Sequence, residues 1–167
     1  GSRYVAWLPS QPNSVARVAW CYGDLGVAIA LMSAGTALGR DDWRRDALDL
    51  ARGMAARPFE TSQVIDAGLC HGAAGAAHLF NRLAQATGEV DLAHAADAWF
   101  ARTIAIRRTE AVAGFPRAVF TDGVTTYEAT ADLLTGATGV ALALHAAISP
   151  IEPAWDQLLL ADLSPTQ

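Results

Sequence analysis

The sequence has no lysine. All twelve of its basic side chains are arginines, set against 17 Asp and Glu, and the net charge is −5. A protein that grips nucleic-acid phosphates needs clustered Lys and Arg, so nucleic acid is discounted as a partner. Charge is scarce altogether, at 17% of residues, while 52% are apolar. That balance is too hydrophobic for a disordered chain. Long hydrophobic runs are missing too. The apolar stretches near residues 25–34, 73–80 and 139–148 are broken by Gly, Ser or His, and none reaches the roughly 20 residues that a membrane span needs. No charged segment leads into an apolar run and a cleavage site, so a cytoplasmic location is expected. Only two cysteines occur, Cys21 and Cys70. They make no disulfide framework, and in a reducing compartment they are expected to be free or metal-bound.

What is present is a chain of 167 residues, long enough for one domain with a real core. Gly1-Ser2 reads as a remnant of recombinant expression and residues 3–167 as the domain. Residues 3–16, with Pro9, Pro12, Asn13 and Ser14, read as an irregular lead-in.

An internal repeat follows. Trp20-Cys21-Tyr22-Gly23-Asp24-Leu25-Gly26 is its first copy, Leu69-Cys70-His71-Gly72-Ala73-Ala74-Gly75 the second, and Leu133-Leu134-Thr135-Gly136-Ala137-Thr138-Gly139 the third. The steps are 49 and 64 residues. Repeats of this size mean one supersecondary unit per copy, stacked on its neighbours. The first Gly opens a turn that a Cβ obstructs. The second lies one helical turn later, on the same face, where backbones can approach closely. Small apolar residues follow, suiting helices buried on most sides.

Between the copies lie more polar, amphipathic helices. Residues 41–56 place Trp43, Ala47, Leu50, Ala51 and Met54 at helical spacing, with Asp41 or Asp42 expected to cap the start. Residues 91–108 place Leu92, Ala95, Ala96, Trp99, Phe100, Thr103 and Ile104 on one face. Segments 58–67 and 111–127 read as loops, the second long enough for a hairpin turning at Asp122-Gly123. Trp155 to Leu163 is expected to form a short closing helix. The pattern predicts an all-α fold of helical hairpins, a buried helix followed by a more polar outer one. Rings of such hairpins make α/α toroids.

Cys21 and Cys70 hold equivalent places in two successive copies, each two residues before the first Gly of its motif. Adjacent inner helices bring both to one end of the structure, and His71 follows Cys70 directly. Two thiols and an imidazole suit zinc, and three protein ligands with one open position is the catalytic-zinc pattern. The residues alone leave the bland reading open: cysteine as a small buried hydrophobe, histidine as a satisfied helix-end residue. His78, His94 and His145 lie in helical runs and read as structural or exposed. Tyr22 and Asp24 are explained by turn packing as well as by chemistry. Arg102, Arg107 and Arg108 read as a solvated helix face.

Trp20-Cys21-Tyr22-Gly23 and Cys70-His71-Gly72 resemble the two zinc-binding signatures of the lanthionine synthetase C-like family. The third copy and the terminal Trp155-Asp156-Gln157-Leu158-Leu159-Leu160 resemble that family's final segments. The resemblance covers about residue 15 to residue 163, in order. It implies a C-terminal portion of an α/α toroid, with about three of seven hairpins. It implies Zn2+ held by Cys21, Cys70 and His71, and a dehydrated precursor peptide as substrate. In lanthipeptide cyclases a peptide thiol adds to the β-carbon of dehydroalanine or dehydrobutyrine, closing a thioether ring. Arg17, four residues before Cys21, matches an Arg near the family's site and is expected to stabilise the enolate formed after thiolate attack.

The chain also departs from the family. Members are typically more than twice as long, and their proposed acid/base His and Asp lie upstream of the Trp-Cys-Tyr-Gly motif. Residues 1–19 contain neither. The expected partners are therefore the remaining N-terminal part of the same domain or a companion chain, with a dehydratase supplying the substrate. An open piece of a ring exposes apolar faces and invites association, so a compact lone monomer is not expected. The alternatives to a cyclase are a thiol- or glutathione-binding module of the non-biosynthetic relatives, or a zinc-stabilised structural segment.

Overall fold

The computed structural model describes residues 2–5, 15–109 and 111–163. Most of the expected lead-in, including Pro9, Pro12, Asn13 and Ser14, lies outside the described residues. Five α-helices carry the fold: α1 (Asp24–Ala37), α2 (Asp41–Ala55), α3 (Ala73–Thr87), α4 (Val90–Ala105) and α5 (Ala137–Ile148). They form helical hairpins. Helices α1 and α2 make one, α3 and α4 the next, and α5 packs on the far side of α3. The inner row is therefore α1–α3–α5, with α2 and α4 outside it.

This layering follows from the residues. Helix α2 buries Ala47, Leu50, Ala51 and Met54 and turns its Asp and Arg residues outward. That spacing of three and four draws one apolar stripe, which suits an outer helix. Helix α3 has contacts all round, and eleven of its fifteen residues are buried. Its Ala-rich sequence permits this, because small side chains let helices approach from several directions. Helix α4 buries Leu92, Ala95, Ala96, Trp99 and Thr103 as expected, while Ile104 faces solvent at 54% exposure. Asp41 and Asp42 do not cap α2. Arg40 holds that position, without a side-chain bond to the helix. The two carboxylates pair instead with Arg44 and Arg40 in the first turn, where negative charge still favours the helix dipole.

Among the described residues, short 3₁₀ turns at Phe59–Thr61 and Val112–Gly114 join the helices, and two larger features lie outside regular α-structure. Strands β1 (Arg117–Thr121) and β2 (Val124–Glu128) form an antiparallel ribbon, turning through Asp122 and Gly123 at φ +51° and +78°. Those angles are the two-residue hairpin turn that Asp-Gly favours. The closing segment, Ala154–Leu159, is a 3₁₀ helix rather than an α-helix. It is fastened to the inner row. Trp20 Nε1 donates to the Leu159 carbonyl at 2.9 Å. Buried Asp156 meets His78 Nε2 at 3.1 Å and Arg82 Nε at 3.0 Å. Arg82 also donates to the carbonyls of Ala161 and Leu163 and pairs with Glu152. His78 stacks on Trp155, so its structural role is as expected.

Candidate metal centre

The three motif copies are built alike. Gly23, Gly72 and Gly136 are the N-cap residues of α1, α3 and α5. The second glycines, Gly26, Gly75 and Gly139, lie against the carbonyl six residues earlier in every copy. A Cβ there would stand 2.0 Å from the Trp20 oxygen, 1.9 Å from that of Leu69 and 1.9 Å from that of Leu133. Each motif is thus a turn folded back tightly onto the first turn of its own helix.

The turns are stitched to one another through the backbone. Trp20 and Cys21 donate their N–H groups to the Cys70 carbonyl, at 3.0 and 3.4 Å. Cys70 N–H donates to the Leu134 carbonyl at 2.8 Å. Cys21, Cys70 and Leu134 are equivalent in the repeat, so one bond recurs from copy to copy and sets their register. Because the Cys21 and Cys70 backbones are bonded directly, their side chains leave from one end of adjacent inner helices.

The outcome is a compact donor cluster. Cys21 Sγ, Cys70 Sγ and a His71 ring nitrogen lie within 4.8 Å of one another. Both thiols are free; Cys21 is exposed, and Cys70 and His71 are half-buried. The third copy presents Leu134 and Thr135 at the matching places, so the cluster belongs to the junction of the first two copies. The donor set suits zinc. Bonds of about 2.3 Å to sulfur and 2.0 Å to nitrogen put tetrahedral ligand atoms roughly 3.5–4 Å apart, which a cluster confined within 4.8 Å can accommodate.

The electrostatics favour one thiolate. The Cys21 thiol is drawn down to about 5, first by the hydrogen bond from Cys70 and then by His71, against the opposing effect of burial. Cys70 is pushed up by the same hydrogen bond and by burial. The pair gives up one proton easily and keeps the other. Both cysteines precede helix N-termini, where the dipole favours a thiolate.

Arg17 belongs to the same neighbourhood. Its charge acts on both Cys70 and Tyr22, and its Nε is buried with no hydrogen-bond partner among the described residues. Tyr22 is raised above the ordinary phenol value, mainly by burial. Asp24 serves the fold: it is buried and accepts from the N–H groups of Arg3 and Tyr4 at 2.9 and 2.6 Å. His94 and His145 are exposed on α4 and α5, away from the cluster.

Sequence reasoning passed over Asp66. It is buried, accepts from the N–H groups of Gly68 and Ala118, and its charge raises Cys70. The repeat carried the signal: Asp66 precedes Gly72 by the same six residues that separate Arg17 from Gly23.

Helical hairpins with a two-thiol, one-imidazole cluster across two Gly-x-x-Gly turns define a class of α/α-toroid protein with a thiol-rich candidate metal site. Residues 2–160 match the family described as lanthionine synthetase C-like protein, and the chain belongs to that family. Among solved structures it is similar to nisin cyclase, with a TM-score of 0.66 at 19% sequence identity. That match covers 91% of this chain and 33% of nisin cyclase, so the chain spans about a third of that protein's length. No curated protein matches the chain by sequence. Among the described residues, no helix is long and apolar enough to cross a membrane.

Proposed function

We propose that this chain is the thiol-activating part of a lanthipeptide cyclase, with Cys21, Cys70 and His71 as zinc ligands. The observation that carries this reading is the convergence of the three donor atoms within 4.8 Å at the junction of two repeats. Cys21, Cys70 and His71 would hold the zinc ion, whose Lewis acidity would favour the deprotonated form of an incoming peptide thiol near neutral pH. The carbon–sulfur bond then forms between that sulfur and the β-carbon of a dehydroalanine or dehydrobutyrine. The π electrons of the alkene move to the α-carbon and carbonyl as an enolate, and a proton at the α-carbon completes the addition.

The chain's own residues divide this work. The stitched backbone of the two motif turns fixes the ligands before anything binds, so ordering them is not a cost of catalysis. Arg17 directs a permanent positive charge toward the cluster, where it stabilises the negative charge that develops on the carbonyl. Tyr22 is held neutral beside it. The proton for the α-carbon is assigned to a group supplied by the rest of the toroid, from the same domain or a companion chain. The substrate on this reading is a dehydrated peptide delivered by a dehydratase, in the cytoplasm.

Metal analysis of the purified chain beside a Cys21→Ser variant tests the centre. One zinc per wild-type chain and a large loss in the variant are expected; equal zinc in both sinks the proposed site. Thioether formation on a dehydrated peptide, assayed with the remaining toroid supplied, tests the activity.

A further inference from the structure

We infer that the groove between the C-terminal end of α4 and the β-ribbon holds an acidic stretch of an extended peptide. This deepens the reading above, since it names a second contact for the same peptide substrate. The groove has a volume of about 270 Å³ and is lined by Ile65, Asp66, Arg102, Arg107, Arg108 and Tyr127 among others. Three of the chain's twelve arginines meet here. Arg40, Arg44, Arg52, Arg82 and Arg117 all pair with carboxylates. None of the three groove arginines is paired with a carboxylate among the described residues. The groove's own acid, Asp66, is committed to the backbone N–H groups of Gly68 and Ala118.

All three are exposed, and two of them, Arg107 and Arg108, are also held by neighbours. The Arg108 guanidinium lies 3.6 Å from the Tyr127 ring centroid. Arg107 crosses Gly114 so closely that a Cβ there would stand 2.7 Å from its Nε, and Gly114 has φ +80°. A fixed guanidinium loses less freedom on pairing and offers a planar fork that matches a carboxylate.

The rest of the surface narrows the occupant to peptide. Ile65 and Tyr127 are exposed beside the charges, so the site suits apolar as well as acidic side chains. The ribbon has two strands, leaving outer edges to which an extended backbone can add. Segment 65–70 joins the groove wall to Cys70, which lies four residues from Asp66 along the chain.

Fluorescence anisotropy in the presence of a metal chelator provides the test. The ligands are a labelled peptide of alternating Glu and Val, and the same peptide with Gln for Glu. Each of Arg102→Gln, Arg107→Gln and Arg108→Gln is expected to weaken the Glu peptide about three-fold, and the triple variant at least about ten-fold. Gly114→Ala is expected to act like Arg107→Gln. Added salt is expected to reduce binding by the wild type more than by the triple variant. The exposed arginine variants should keep wild-type circular dichroism. Equal affinity for the Glu and Gln peptides, or an unchanged triple variant, overturns the inference. So does displacement of the peptide by an oligonucleotide at equal charge. Without the chelator, the triple arginine variant is expected to keep the wild-type zinc content, which separates failure of the groove from failure of the metal centre.

Discussion

Gly75→Ala tests the central structural claim, that the second glycine of each motif is required by a backbone contact. An added Cβ at Gly75 stands 1.9 Å from the Leu69 oxygen and 2.7 Å from its carbonyl carbon. An ordinary contact needs more than 3 Å, so the carbonyl must retreat by roughly 1 Å or more. It cannot retreat alone. Leu69 precedes Cys70, whose N–H donates to Leu134 and whose carbonyl accepts from Trp20 and Cys21. Loss of these three hydrogen bonds costs about 1 kcal/mol each, and residual overpacking adds about 1–3 kcal/mol. The total is roughly 4–6 kcal/mol, against about 5–15 kcal/mol for the whole stability of a typical domain.

Gly53→Ala is the matched control. It also lies inside a helix, but nothing stands within 4 Å of its added Cβ. It should stabilise by about 1 kcal/mol through helix propensity. Urea unfolding followed by tryptophan fluorescence measures both. A large fall in midpoint for Gly75→Ala beside a small rise for Gly53→Ala is expected. If both glycines respond alike, or Gly75→Ala costs less than about 1 kcal/mol, the backbone-contact argument is wrong.

In metal-free protein, Cys21 should react with iodoacetamide well below the pH at which an ordinary thiol does, because its thiolate is present above about 5. The rate should fall as pH drops through that value, and an ordinary thiol profile refutes the assignment. Asp132 is lowered to about 2, first by the Thr135 N–H and then by the Thr130 hydroxyl. Its folded value lies below the unfolded 3.8, so its contribution is complete above 3.8 and is lost as pH falls toward 2. Asp132→Asn should therefore be less stable than wild type at neutral pH and nearly equal to it at pH 2; a constant gap between the unfolding curves counts against this. Asp156→Ala leaves the buried Arg82 charge without its closest buried carboxylate, at a cost of about 3–5 kcal/mol. Limited proteolysis should then cut within 149–163 well before the helical core, and unchanged resistance contradicts the clamp.

The sequence by itself determined the repeat, and the repeat carried most of the fold. Gly-x-x-Gly at three places located the N-termini of α1, α3 and α5, because no other residue fits both the turn and the carbonyl packed against it. The apolar stripe of α2 marked it as an outer helix, and Asp122-Gly123 marked the ribbon turn. The same repeat made Cys21 and Cys70 equivalent, with His71 beside them. These are local or periodic signals, and a linear sequence displays them.

Other features depended on how the repeats stack. Arg40 replaced Asp41 and Asp42 as the cap of α2, because the carboxylates found arginine partners. Asp66 stood six residues from a glycine without declaring itself, since its partners, Gly68 and Ala118, meet only once the ribbon folds back. Arg102, Arg107 and Arg108 are exposed, as a solvated face predicts, but only the fold sets Arg107 against Gly114 and Arg108 against Tyr127. The His78–Asp156–Arg82 clamp joins residues more than seventy positions apart in sequence. Such contacts arise from chain segments that meet only after the helices pack, which is why the tertiary structure alone decided them.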